Sequence, residues 1–296
     1  MGTTFFTTKS DFDEMSYHLE TAGFLVVRGF WNEKQVKDAN QRINGWLDKY
    51  AEEHQSIPTK FPFIDIDPEY FLAPMEHPLI VKFGAQYCGE WFRFDHGIGL
   101  LQPTFWTGKD GTKNRSEAVN LHGGFFGSQG SNYCTAVGDR LWFGQLNVGI
   151  ALSEQKEGDG GLCYIPGTHV LSTKRSEGME VLKKYLKGRF DHPSLVIPTI
   201  LPGDLVIFTE ALIHGMAPWK SEFGLRKNIY YKFSPGFLAW RDYEEIKKYL
   251  PYAKTTILKK LLRGPFVSQY SDEPTVCSAS YRSAVVEDEL QNLERK

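Results

Sequence analysis

The run RLWFGQLNVGIALS, residues 140–153, decides the fold class. Its even positions Trp142, Leu146, Val148, Ile150 and Leu152 are apolar apart from Gly144, while its odd positions include Gln145, Asn147, Gly149 and Ala151. A period of two belongs to an extended chain whose successive side chains point to opposite sides of a sheet. One side is expected to pack on a core. The other is small and carries two amides, which suits either the wall of a polar cavity or an open sheet face.

Outward from this strand the pattern stays extended. EGDGGLCYIPGTH (157–169) reads as a Gly-rich turn, a strand and a second turn ending at His169, and residues 177–188 read as a helix. VIPTILPGDLVIFTEALIHG (196–215) reads as two strands broken at Pro202-Gly203, and RKNIYYKFSPG (226–236) as a further strand. Residues 241–263 are helical with an interruption at Pro251. On the N-terminal side, 61–135 reads as short strands and loops with no sustained helical period. Residues 11–52 hold a helix stopped by Gly23, a strand FLVVRGF (24–30), and a helix capped by Asn32 with Val36, Ala39, Ile43, Trp46, Leu47 and Tyr50 on its apolar stripe. The expectation is one domain over 1–296, mainly β: a double-stranded β-helix of the jelly-roll or cupin-like kind at 61–240. A helical flank at 11–52 precedes it and a helical extension at 241–296 follows.

Composition narrows the partners. The 34 Lys and Arg balance 36 Asp and Glu, so nothing supplies the cationic surplus that nucleic acid demands. No apolar run reaches the length of a spanning helix, and the first residues lack a signal-peptide pattern; membrane binding and secretion are not expected, and a cytoplasmic location is. Four cysteines without a CxxC pair read as reduced thiols rather than a zinc knuckle or a disulfide framework. The aromatic share of 14% favours a β-rich architecture built around pockets. Small molecules are the remaining class of partner.

Only eight histidines are present. His18, His54, His77 and His192 stand in polar helical, loop or pre-proline contexts that suit surface or cap roles, leaving His96, His122, His169 and His214. His122 in VNLHGGFFG and His214 in GDLVIFTEALIHGMAP each end a strand-like segment before a glycine. Two neutral imidazoles from distant strands are an ordinary way to hold a first-row metal. Twelve residues beyond His214, Arg226 opens a return strand; it is either a surface residue at a strand start or a buried guanidinium that demands an anion.

The ordered set GFLVVRGF, LHGG, GQLNVGIALSE, DGGLCYIPGTH, GDLVIFTEALIHGMAPW and RKNIYYKFSPG, over about residues 12–240, resembles the phytanoyl-CoA dioxygenase-like branch of the iron(II) and 2-oxoglutarate-dependent oxygenases. The resemblance implies a double-stranded β-helix, Fe(II) held by His122 and His214, and 2-oxoglutarate whose distal carboxylate pairs with Arg226. It also implies a cofactor pocket that includes Gln145 and Asn147, and a structural His169. The chain departs from the family at one point: its usual His-x-Asp iron motif has Gly124 in the acidic position. Glu210 shares strand parity with His214, but on a regular strand their Cα atoms would lie about 13 Å apart, too far for one iron. Asp95 in RFDHG is the remaining acid, either as a ligand through folding or, as the pair Asp95-His96, as a substrate contact or a buried ion pair with Arg93.

Three readings follow. The chain is an oxygenase acting on a C–H bond of a small molecule; or a halogenase, with chloride at iron beside Gly124, since a halide and a carboxylate carry the same charge; or a scaffold with a decayed site. Trp106, Phe125, Phe126, Trp219 and Trp240 are candidates to line a substrate pocket, with core packing as the alternative.

Overall fold

The computed structural model describes residues 4–104, 106–107, 113–114, 121–123, 133–170, 193–221 and 224–265. The chain opens with β1 (Phe5–Thr7), α1 (Phe12–Ala22), β2 (Phe24–Arg28) and α2 (Glu33–His54). Asp11 caps α1, accepting from the Asp13 and Glu14 amides, and Gly23 ends it. Asn32 caps α2 in a reciprocal box with Gln35, as the sequence pattern expects.

The next stretch differs from expectation. Besides the short β3 (Lys60–Phe61), it holds α3 (Phe63–Ile66), α4 (Pro68–Leu72), a 3-10 turn and the eleven-residue α5 (Pro78–Cys88). His77 caps α5 by accepting from the Leu79 amide, and proline occupies its first turn. Leu79, Ile80, Val81, Phe83, Gly84, Tyr87 and Cys88 are all buried, and the only polar side chains of α5 are Lys82 and Gln86, a face too narrow to stand out as an amphipathic period.

Strands then dominate: β4 (Arg93–Gln102), β5 (Trp106–Thr107), β6 (Lys113–Asn114), β7 (Cys134–Val137), β8 (Arg140–Phe143), β9 (Leu146–Ala151), β10 (Gly161–Ile165), β11 (Leu205–Thr209), β12 (Ile213–Ala217) and β13 (Arg226–Ser234). The expected single strand at 140–153 is two, broken at Gly144-Gln145. The chain closes with α6 (Glu244–Lys247), a 3-10 turn over Leu250–Tyr252 and α7 (Thr256–Leu261), so the interruption at Pro251 is present. The helix expected at 177–188 and the last thirty or so residues lie outside the described residues.

Seven strands form one sheet in the order β1-β2-β11-β9-β13-β4-β3, antiparallel except for β1 against β2. β10 and β12 form a second sheet, extended by a bridge from His122 to His214. The alternation of β9 sorts as its sequence dictates. Leu146, Val148 and Ile150 join Leu25, Val27, Ile207, Ile229, Tyr231 and Phe233 in a large core beneath the helices. On the opposite side Ala151, Val206, Phe208 and Tyr230 meet Leu162 and Tyr164 of the second sheet. Two sheets with an apolar filling between them and helices on the outer side make the expected jelly-roll. No helix among the described residues is long and apolar enough to cross a membrane.

The turn before β11 is fastened by Asp204, which is 1% exposed. Its carboxylate pairs with the Arg28 guanidinium and accepts from the Gly29 amide at 3.1 Å and the Leu201 amide at 2.7 Å. Removing it strands three donors, so Asp204→Ala is expected to cost about 3 kcal/mol of stability, read as a lower midpoint in urea unfolding at unchanged slope.

Candidate metal centre

β11 and β12 belong to different sheets, and the chain passes between them through a turn at 210–212. The Leu212 amide donates to the Thr209 carbonyl at 3.0 Å, and the Ala211 amide to the Thr209 hydroxyl at 3.2 Å. That turn is a second break in 196–215, beyond the one expected at Pro202-Gly203. It overturns the regular-strand argument that put Glu210 out of reach: His122, Glu210 and His214 offer ligand atoms all within 4.8 Å of one another.

Each residue is positioned by identifiable contacts. His122 and His214 exchange both backbone hydrogen bonds at 2.8 Å, so they sit directly opposite with their rings 4.2 Å apart between centroids. Gly123 makes this pairing feasible: at φ +118 it lies so close to the neighbouring turn that an added Cβ would stand 1.9 Å from the Leu212 carbonyl oxygen. The Nδ1 of His214 donates to the Leu212 carbonyl at 2.8 Å, leaving Nε2 to face Glu210 at 4.0 Å. His122 Nε2 lies 4.0 Å from the other Glu210 oxygen. Glu210 is in turn held by Asn147 Nδ2 at 2.8 Å and Lys232 Nζ at 2.9 Å.

Burial and charge set the protonation states. Burial alone would raise the Glu210 carboxyl, but Lys232, His214 and His122 together bring it down to about 2. Burial holds His214 down at about 3, with His122 pushing the same way. At neutral pH the cluster presents an ionised carboxylate and a neutral imidazole, the forms that ligate metals.

His122 and His214 border a cavity of about 430 Å³ between the sheets, with Asn147, Phe208, Tyr230, Lys232, His96 and Trp240 among its walls; Glu210 stands behind that wall, bonded to Asn147 and Lys232. Arg226 is 2% exposed and opens β13 as expected, on the same side as Tyr230 and Lys232. Its Nη1 donates to Gln102 Oε1 at 3.3 Å and lies 3.6 Å from the sulfur of Met216, a cavity residue. Asn228, with its amide oxygen turned to the guanidinium, accepts from Nη2 at 3.0 Å and Nε at 3.2 Å. All these partners are neutral, and among the described residues no carboxylate pairs with Arg226. Gly161, the second glycine of DGG, approaches both Gln155 and this guanidinium: an added Cβ would stand 3.0 Å from Nε.

The remaining sequence candidates divide. Gln145 is 1% exposed, stands at the break before β9 rather than on the cavity wall, and neither of its amide atoms has a hydrogen-bond partner among the described residues. Gly124 lies outside the described residues. Asp95 is not near the cluster of donors: it pairs with Arg93 at 3.1 Å and accepts from His96 Nδ1 at 2.8 Å and from the Trp240 and Arg241 amides at 2.7 and 3.1 Å. That resolves its alternatives toward the buried ion pair. His169 bonds the Glu20 carbonyl at 2.9 Å through Nε2. Trp240 lines the cavity, whereas Trp219 is buried with its indole donating to the Gly224 carbonyl at 2.7 Å. Sequence reasoning missed Lys232, which shares strand parity with Arg226, and offered His96 only together with Asp95, as a substrate contact or part of a buried ion pair; His96 lines the cavity.

Comparison with known proteins bears on this geometry. A family model described as phytanoyl-CoA dioxygenase matches residues 141–228. A search of curated proteins gives no match. Among solved structures, HygX from Streptomyces hygroscopicus with iron bound is 21% identical with a TM-score of 0.61, covering 78% of this chain and 90% of that one. HygX has also been crystallised with nickel, 2-oxoglutarate and hygromycin B. EctD from S. alaskensis with bound Fe is 15% identical with a TM-score of 0.56, over 78% of this chain and 79% of that one, and has also been crystallised with 2-oxoglutarate and 5-hydroxyectoine. AviO1 from Streptomyces viridochromogenes Tue57 is 16% identical with a TM-score of 0.52, over 77% and 96%. The fold is shared with these structures, and the match to the phytanoyl-CoA dioxygenase model over residues 141–228 agrees with the resemblance drawn from the sequence.

Proposed function

We propose that the chain is an Fe(II)- and 2-oxoglutarate-dependent oxygenase acting on a C–H bond of a small molecule, with His122, His214 and Glu210 as its iron ligands. The observation that carries this reading is the convergence of two imidazoles and one ionised carboxylate beside a cavity that both imidazoles line. That donor set is the two-histidine, one-carboxylate triad suited to non-haem iron with open positions. Cis ligands at about 2.1 Å from a metal stand about 3 Å apart, so the 4.0 Å separations call for closure by about 1 Å. Iron bound there would activate dioxygen as the oxidant, with 2-oxoglutarate as the reductant that is converted to succinate and carbon dioxide.

The chain's own residues supply position and charge. The Leu212 carbonyl fixes the tautomer of His214, and Asn147 fixes the rotamer of Glu210. Arg226 offers a buried planar fork, lacking a charged partner among the described residues, to the distal carboxylate of 2-oxoglutarate. The small-molecule ligands crystallised in HygX and EctD support a small-molecule substrate here.

The test is succinate formation from 2-oxoglutarate after anaerobic loading with Fe(II) and admission of oxygen. Succinate dependent on both iron and 2-oxoglutarate is expected; none from folded protein that binds neither would sink the proposal and favour a scaffold. Arg226→Ala is expected to raise the half-saturating 2-oxoglutarate concentration at least about tenfold, the worth of a charged hydrogen bond. An unaltered requirement would remove Arg226 from the site. Halogenation, with chloride at iron beside Gly124, is the second reading and rests on the missing acid of the His-x-Asp motif. Glu210 weighs against it, because it already brings one negative charge to the two imidazoles.

A further inference from the structure

We infer that the substrate of this cavity carries a negatively charged group, a carboxylate or a phosphate ester, seated by Arg241 and Lys60 at the end remote from the three metal donors. The inference rests on the reading of this cavity as the substrate site. Lys60, Lys232, Arg241 and His96 line it, and among the described residues no Asp or Glu does. Lys232 is committed to Glu210 at 2.9 Å. Lys60 and Arg241 are not committed: among the described residues neither side chain has a hydrogen bond or an ion pair, although acids are as common as bases in this chain.

The layout gives the anion a definite place. Across the large sheet, Phe208, Asn147, Lys232 and His96 are register partners on successive strands β11, β9, β13 and β4. At about 4.8 Å per strand, the backbone of His96 lies about 10 Å from that of Asn147, the residue that bonds Glu210. Arg241 is anchored at this far end, because its backbone amide and that of Trp240 both donate to Asp95, the residue that also takes His96 Nδ1. Lys60 stands on the edge strand β3 opposite Leu100 of β4, two residues along from Ile98 on the same wall. Between the two ends the walls are Ile98, Leu162, Phe208 and Tyr230. An apolar middle flanked by a metal centre and a pair of uncommitted cations fits a ligand with an apolar or aromatic body and an anionic terminus.

The test uses four matched probes on the metal-free full-length protein in calorimetric titrations: phenyl phosphate, benzoate, benzyl alcohol and benzylamine. Phenyl phosphate or benzoate is expected to bind at least about tenfold tighter than benzyl alcohol, with benzylamine the weakest and the preference shrinking in high salt. The tighter of the two anions identifies the charged group. The Lys60→Gln, Arg241→Gln double variant is expected to lose that preference while binding Fe(II) unchanged; both side chains are exposed, so folding is not at stake. The preference should persist in Arg226→Ala, which separates this site from the one proposed for 2-oxoglutarate. Equal affinity for anionic and neutral probes, no binding of any probe, or a preference surviving the double variant overturns the inference. Its failure is distinct from failure of the oxygenase reading, which the iron- and 2-oxoglutarate-dependent formation of succinate decides separately.

Discussion

Glu210→Ala is expected to weaken Fe(II) binding by at least about 100-fold, because it removes one of three converging donors and the negative charge that offsets a dication; loss of a residue that merely supports a ligand already costs 10- to 100-fold. The substitution also leaves Lys232, whose side chain is 18% exposed, beside two imidazoles with no carboxylate. A loss of about 2 kcal/mol in stability is expected alongside, and Glu210→Gln separates the two effects by keeping the shape and the hydrogen bond to Lys232 while discarding the charge. Anaerobic Fe(II) titration checks both variants. Retained iron affinity in Glu210→Ala, rising with chloride, would instead support the halogenase reading at Gly124.

The second large effect has the opposite sign. Lys232 Nζ stands 2.9 Å from Glu210 Oε2, so its charge repels any cation placed among His122, Glu210 and His214. Two unit charges about 5 Å apart interact by about 3 kcal/mol at the effective dielectric of a partly buried site, and a dication feels more. Reorganisation and solvent screening reduce this, and Lys232→Met is expected to tighten Fe(II) binding at least about tenfold. The variant is also expected to be less stable without metal, because the buried carboxylate loses its cation, and to regain stability when Fe(II) is added. Unchanged or weakened iron binding in folded Lys232→Met would show that the metal does not sit against Glu210.

How legible these features were depends on whether the deciding interaction was local. Strand β9 could be read because burial on one side and a cavity on the other impose a strict alternation on Leu146 to Ala151. The caps Asn32 and Gly23 are local backbone chemistry and were equally readable. Helix α5 was not, because it is buried over most of its surface and Lys82 and Gln86 alone make too narrow a polar stripe to read. Glu210 was dismissed for a related reason. Its distance from His214 depends on the turn that carries the chain from one sheet to the other, which the apolar run Leu205 to His214 does not announce. The signal available was an acid inside an otherwise apolar strand pair, a residue type that is rarely buried without a partner. Lys232 and His96 needed the register of three strands, which no single strand contains.

The most direct measurement is a structure of the protein grown anaerobically with Fe(II) and 2-oxoglutarate. Iron is expected within about 2.0 to 2.2 Å of Nε2 of both His122 and His214 and of a Glu210 carboxylate oxygen, with the 2-oxoglutarate distal carboxylate on Arg226. Iron bound with Glu210 still on Lys232, and a halide or water in the place of its carboxylate, would contradict the three-residue centre.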